Sequence, residues 1–444
     1  MVMVKRLPKD PGPAAWNALL PPRTIHQLED NVTADWLVIG AGWAGLAAAR
    51  RLKQLSAGDR IILLEASSVG EGPAGRNSGF MIDLPHDLAS DNYNGSADAD
   101  RRQIAMNRAG IAFAAEAALE IGMPDEAFSL IGKVNGAATE KGVRHLQDYA
   151  RHLEALNEPF ETLDAKAMTA LTGTAFYREG LFTPGAAMAQ PAMFVRGMAD
   201  GIKAAGVDLF EQSPVTSLER IQGNWRATTP SGAVTAERVI LAVNGHAESF
   251  GFFERRLMHI FTYASMTRAL NGEEVCRLGG QPRFGVLPAD PMGTTVRRIS
   301  GVGGDRIVIR NRFSYDPSMA VGDNRLSKIA PRHDQSFALR FPMLEGIEMQ
   351  YRWGGRLCLS RNGVPAFGEI ENNVFSACCQ NGLGTTKGTL AGMLAAELAA
   401  RTNHPMVAEV QAFDQPERLP PEPFAWLGAN AVLRWKEHRA GREL

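Results

Sequence analysis

Cysteine is scarce in this sequence. Cys276, Cys358, Cys378 and Cys379 are the four in 444 residues, and none falls in a C-x-x-C or Cys/His pattern. That argues against a structural zinc site and against a disulfide-stapled secreted scaffold, so a reducing, cytoplasmic setting is expected. Charge of one sign is missing as well. The 47 Lys and Arg stand against 48 Asp and Glu, so bulk charge points to neither nucleic acid nor an anionic membrane as partner. Long apolar runs are absent too. The longest, LVIGAGWAGLAAA (residues 37–49), holds 13 residues with three glycines, short of the roughly 20 that span a bilayer. The opening MVMVKRLPKDPGP has no apolar signal core, and no transmembrane or secretory segment is expected.

Glycine, by contrast, is abundant. There are 45, where the ordinary share of roughly seven per cent would give about 31. They cluster at 40–45, 70–79 and 382–392, the places where backbone would approach a ligand. Trp36-Leu37-Val38-Ile39 reads as a buried strand, and LAAARRLKQL continues as a helix. Between them Gly40-Ala41-Gly42-Trp43-Ala44-Gly45 is a G-x-G-x-x-G turn. Its first glycine makes the turn, its second admits a pyrophosphate, and its third lets helix and strand pack. The helix N-terminus then offers free N–H groups to the phosphates. RIILLEA is the next strand, and Glu65 follows Gly45 by twenty residues, in place to accept hydrogen bonds from ribose hydroxyls. Glu65-Ala66 rather than an arginine disfavours a ribose 2′-phosphate. The pattern predicts dinucleotide binding.

GPAGRNSGF (72–80) decides which dinucleotide is expected. A nicotinamide site ends near the carboxylate, whereas FAD continues to a large ring. Gly75, Arg76, Asn77, Ser78, Gly79 and Phe80 offer donors for a phosphate and for the polar edge of a flavin; a plain surface turn is the alternative. ERVILAVNG repeats the strand-to-glycine geometry at Asn244-Gly245, and QNGLGTTKG leads through Gly384, Thr385 and Thr386 into the helix LAGMLAAELAA. That second helix N-terminus would face the flavin's pyrimidine end, where negative charge develops on reduction.

Together DWLVIGAGWAGLAAARRL, LLEASSVGEGPAGRNSGF, VILAVNG, YRWGGRLCLSRNGVPAFG and NGLGTTKGTLAG resemble the D-amino-acid oxidase family of flavoproteins. That family includes glycine oxidase and monomeric sarcosine oxidase, and the resemblance is nearest its γ-glutamylputrescine oxidase-like branch. It runs from about residue 14 to the C-terminus and implies the following. The fold is α/β, a discontinuous Rossmann-like FAD-binding domain (1–95, 175–250 and 345–444) plus an α+β substrate domain with an antiparallel sheet (96–174 and 251–344). Gly40, Gly42, Gly45 and Glu65 hold the ADP half, and Val215 faces the adenine. Residues 76–80 line the pyrophosphate and flavin. Non-covalent FAD is expected, because the cysteine that attaches flavin in some members aligns with Leu359, one place from Cys358. Leu383 stands where the branch usually has histidine, and Lys387 where it has an apolar residue.

The expected activity is oxidation of a C–N bond in an amine or amino acid, with hydride passing to flavin N5 and the imine hydrolysing. Oxygen or another acceptor then reoxidises the flavin. Candidate substrate residues are Asp83 and His86 after the flavin loop, and His259 and Tyr263, which share a strand face with Phe261. Arg310 and Arg312 also share a face, which is either a two-pronged grip for a carboxylate or, the more common meaning of such a pair, a solvated sheet face. The tail helix AVLRWKEHRAGREL is basic and amphipathic, and it is expected to pack on its own domain in preference to a membrane role. Two rivals have less support. A flavin monooxygenase would carry Gly-Asp before the last helix, where this chain has FSACCQNGLGTTKG, and a disulfide reductase would carry a redox cysteine pair. A flavin-binding subunit of a larger dehydrogenase stays open.

Overall fold

Four consecutive apolar residues, Ile61–Leu64, are all buried and need cover on both faces, as in a parallel sheet. The computed structural model describes residues 2–85 and 97–444. In it strands Asp208–Phe210, Ile61–Leu64, Asn31–Ile39, Ala233–Leu241 and Val374–Cys378 lie side by side and parallel. Ile39 is in register with Leu64 on one side and Leu241 on the other, so these three strands end along one line. Antiparallel strands Ser217–Ile221 and Asn224–Thr228 extend the sheet beside Ala233–Leu241. Helix Thr386–Ala399 crosses helix Trp43–Leu55 closely, because a Cβ on Gly392 would sit 1.9 Å from the Ala44 carbonyl oxygen.

Among the described residues the second sheet has eight strands, in the order Met349–Leu359, Met258–Thr267, Arg306–Tyr315, Thr295–Ile299, Phe284–Pro288, Lys133–Ala137, Glu179–Thr183 and Glu161–Leu163. Every neighbouring pair is antiparallel except Phe284–Pro288 with Lys133–Ala137. The expected fold class is therefore present: a parallel α/β unit built from separated segments, and a largely antiparallel sheet beside it.

Two expectations need correcting. The boundaries at 174/175 and 344/345 leave Glu179–Thr183 and Met349–Leu359 in the cofactor unit, yet both strands are hydrogen-bonded into the second sheet. Apolar alternation marks a strand without saying which sheet it joins. The stretch 100–172, whose many Ala, Leu, Glu and Arg residues make helix the expectation by composition, is not helical throughout. Between helices Ala97–Ile121, Glu140–Leu156 and Ala165–Thr172 lie strands Phe128–Ser129, Lys133–Ala137 and Glu161–Leu163. Ala and Leu content hid KVNGA, which is buried at every residue and so shows no alternation.

Candidate cofactor and active site

The C-terminal edge of a parallel sheet is where such folds bind ligands, and a cavity of about 270 Å³ opens there. Gly40, Gly42, Trp43 and Ala44 line it after the first strand, Glu65 and Ala66 after the second, and Asn244 after Ala233–Leu241. Val215 lies near the Glu65 end, and Arg76 to Phe80 form another wall together with Gly384 and Thr385. Four expected residues lie behind the wall as packing elements. A Cβ on Gly45 would sit 1.7 Å from the Gly40 carbonyl oxygen, and one on Gly75 2.0 Å from that of Gly70. Gly245 is set against the His259 ring, and Thr386 is buried in the first turn of its helix.

Two helices begin at this cavity, one with Gly42, which has no side chain, at its N-cap and one with Thr385, whose hydroxyl donates to the Phe80 carbonyl instead of capping its helix. The first N–H groups of the Gly42-capped helix are therefore left for an acceptor in the cavity, whereas at the second helix the Lys387 and Gly388 N–H groups bond the Leu383 and Gly384 carbonyls at 2.9 and 3.2 Å. Glu65 takes bonds from the Ala41 N–H at 2.8 Å and the Ser67 N–H at 3.0 Å. Burial outweighs these and raises its pKa. A carboxylate offers about four lone-pair sites, so acceptor capacity remains on the cavity side. Glu65→Gln is expected to weaken dinucleotide affinity by about 1.5–3 kcal/mol, the worth of a charge-assisted bond. Unchanged affinity in a titration would remove Glu65 from the site.

The RNSG loop works differently from the expectation. The Arg76 guanidinium donates to the carbonyls of Glu71 at 2.5 Å, Gly12 at 3.0 Å, Pro11 at 3.1 Å and Gly354 at 3.3 Å. Its own carbonyl accepts from Trp353 Nε1 at 2.9 Å. Asn77 braces the turn, donating to the Ala74 carbonyl and accepting from the Gly79 N–H. Gly79 has φ +76°, and a Cβ on it would meet the Ala189 carbonyl oxygen at 2.1 Å and Arg297 Nη1 at 2.4 Å. The chain itself thus already requires glycine here. Arg297, absent from the sequence reading, donates to the Ser78 and Ala189 carbonyls, both at 2.7 Å. Its signal was slight, an Arg-Arg pair within the strand TVRRI. We expect Arg76→Ala to lower Tm as well as cofactor content, because buried carbonyls lose their donor. Normal Tm with lost cofactor would instead mean that the charge acts on the cofactor directly.

The substrate candidates divide. Tyr263 is buried with its hydroxyl 2.6 Å from Ser314 Oγ, packed beside Phe261 and Val321, and His259 Nε2 lies 2.9 Å from Glu248. Neither is on the cavity wall; the alternate residues of the same strand, Thr262 and Ala264, are. Tyr263→Phe is accordingly expected to leave anaerobic flavin reduction within about twofold of wild type and to cost about 0.5–1.5 kcal/mol in stability. Asp83 is buried, 3.1 Å from Arg108 and away from the wall. His86 lies outside the described residues.

Arg310 and Arg312 do not act as a pair. Arg312 has φ +62° at a register shift where Tyr263 faces Asn311 and Thr262 faces Phe313. This bulge turns Arg312 to Glu437 at 3.5 Å while Arg310 lines the cavity. Arg310 has no carboxylate partner among the described residues; its guanidinium lies 5.5 Å from the Phe313 ring centroid. Burial draws its pKa down to about 10, so it is a cation at neutral pH. Phe80, Ile82, Leu287 and Leu383 supply apolar wall, Gln380 a polar patch, and His246 a buried ring whose Nε2 has no partner among the described residues.

A family of FAD-dependent oxidoreductases, DAO, matches residues 35–398 of this sequence. The chain belongs to that family. γ-Glutamylputrescine oxidoreductase of Escherichia coli K12 is 25% identical over 413 residues, 89% of either chain. A probable oxidoreductase, OrdL, of Rhizobium meliloti is 26% identical over 409 residues, 89% of this chain and 90% of that one. Among solved structures, glycine oxidase of Geobacillus kaustophilus superposes with a TM-score of 0.67 at 19% identity, over 88% of this chain and 100% of that one. Iminodiacetate oxidase of Chelativorans sp. BNC1 gives 0.68 at 16%, over 86% and 100%. FAD is the cofactor, and the residues present fit it: a cavity at the sheet's C-terminal edge, the helix N-terminus at Gly42 with no side-chain cap, and the Glu65 carboxylate on the wall.

Proposed function

We propose that this FAD-dependent oxidoreductase oxidises the C–N bond of an amino acid or N-substituted amino acid whose carboxylate is held by Arg310. Arg310 carries the reading: it is a cation on the cavity wall with no carboxylate partner among the described residues, facing apolar Ala264 across the strand pair. Two fixed N–H donors there match the two oxygens of a carboxylate. When bound, FAD accepts the hydride released from the substrate's α-carbon. The protein's part is to orient that carbon, to exclude water with Phe80, Ile82, Leu287 and Leu383, and to favour the neutral amine. Among the wall residues above no carboxylate faces this end, so a neutral amine need not give up its proton to an enzyme base. The imine then hydrolyses, and oxygen or another acceptor takes the electrons.

In this reading Glu65, Ala66 and Val215 hold the adenosine end, and Gly40, Gly42, Trp43 and Ala44 face the pyrophosphate. Asn77, Ser78, Phe80, Gly384 and Thr385 face the flavin. The cofactor is held without a covalent bond. Cys358 reaches the wall, but the adjacent Cys379 thiol and burial push its pKa well above the ordinary range, so it is not a nucleophile; Leu359 packs on the other face of the strand. Acid precipitation is expected to release intact FAD, and yellow colour kept by the pellet would point to Cys358.

The test of the reaction is anaerobic bleaching of the flavin band by a panel of amino acids, N-alkyl amino acids and plain amines. Bleaching by the carboxylated compounds is the expected result. Bleaching by NADH or NADPH alone would make the protein a monooxygenase or reductase instead.

A further inference from the structure

The tail helix Phe424–Ala440 packs inward as expected, with Ala425, Ala429, Leu433 and Ala440 in the cluster around Ile260, Phe313 and Tyr315. Its opposite face is apolar as well. Phe424, Leu427, Val432 and Trp435 are each more than half exposed. At 100° per residue Phe424, Leu427, Gly428, Ala431 and Trp435 fall on one outward stripe, with Val432 at its border. An exposed stripe of this kind on a helix marks a surface that something covers.

The charges beside the stripe say what. Glu422, just before the helix, is exposed and bonded by the Tyr315 hydroxyl and the Trp426 N–H. The acids that follow point inward: Glu437 accepts from the Phe313 N–H and Arg434, and Glu443 from the N–H groups of Ala138 and Thr139. Both are buried. The bases stay outside. Arg434 is exposed on one flank of the stripe, and Arg439, stacked on Trp435 at 4.8 Å, is exposed on the other. A chain of net charge −1 thus turns a locally positive, aromatic and apolar strip outward. We propose that this helix docks the protein on an anionic lipid bilayer surface, with Phe424, Leu427 and Trp435 in the acyl boundary and Arg434 and Arg439 at the headgroups. A second copy would set this positive strip against itself, whereas an anionic bilayer matches both its sign and its apolar content. The helix lies on the surface and does not cross it: no helix among the described residues is long and apolar enough to span a membrane.

The test is flotation of the full-length holoprotein with phosphatidylcholine vesicles, with and without phosphatidylglycerol. Wild type is compared with Phe424→Ser/Leu427→Ser/Trp435→Ser and with Arg434→Gln/Arg439→Gln. Binding is expected only where phosphatidylglycerol is present, and it should weaken as salt rises. Each cation removed should lower partitioning about fivefold, and the triple variant should lose it more than tenfold. FAD content and Tm of the variants, expected to be near wild type, show that the fold is intact. No flotation with anionic vesicles, or equal flotation of wild type and triple variant, would overturn the proposal. So would a concentration-dependent dimer in ultracentrifugation that the triple variant abolishes, since the stripe would then be covered by a second copy.

Discussion

Replacing Arg310 by leucine is expected to leave FAD bound and the protein folded while nearly abolishing flavin reduction at ordinary substrate concentrations. The guanidinium faces the cavity and holds up no part of the fold through an ion pair, so its removal should cost little in stability. For a carboxylate held at this site the loss is that of a buried charge pair, about 2–5 kcal/mol, or roughly 30-fold to several-thousand-fold in Kd. Rapid-reaction reduction at rising amino-acid concentration measures it. The limiting rate at saturation should fall far less than the affinity. Arg312→Leu is the control: it faces Glu437 and should change stability rather than reduction. Equal effects from both variants would sink the assignment of a carboxylate to Arg310.

The second large effect is expected at Gly45. Its Cβ position lies 1.7 Å from one backbone oxygen and 2.9 Å from the carbon of the same group, so no side-chain movement makes room. Overpacking where neighbours can yield costs about 1–3 kcal/mol, and here the strand end and the helix must separate. Gly45→Val should purify colourless or not at all, and added FAD should restore neither absorbance nor protease resistance. Gly384→Ala offers the contrast, since nothing lies within 4 Å of its Cβ position. It is expected to keep the protein's Tm, and any loss of FAD there would report contact with the cofactor itself. A yellow, stable Gly45→Val would mean that helix and strand are not packed as described.

What the sequence revealed followed from local rules. G-x-G-x-x-G with Glu65 twenty residues on fixes a strand, a turn and a helix without reference to distant residues, and the cavity opens where those signals put it. The pairing of Arg310 with Arg312 followed a local rule as well, strict alternation, and it failed because one extra residue in the strand reverses which face each side chain takes. The bulge has little local signature: Arg312 is not a glycine, and its φ of +62° is imposed by its neighbours. Alternation alone also could not choose between the two faces of Met258–Thr267, and the polar Tyr263 drew attention from Thr262. Long-range partners were less legible still. Nothing near Arg76 in the chain says that its acceptors include Pro11, Gly12 and Gly354, or that Arg297 supports the same loop from another sheet.

The way the cavity wall is distributed along the chain has a kinetic consequence. Its lining begins at Val4 and ends at Gly388, so the cofactor has no complete binding site until nearly the whole polypeptide has left the ribosome and its separated segments have met. Closing contacts between such distant residues is slow, because the intervening chain must lose its freedom before the contacts reward it. FAD therefore adds its stabilisation only after the slow step, by drawing the finished fold out of its equilibrium with partly assembled forms. Refolding at saturating FAD should proceed at nearly the same rate as without it, yet end with more native protein.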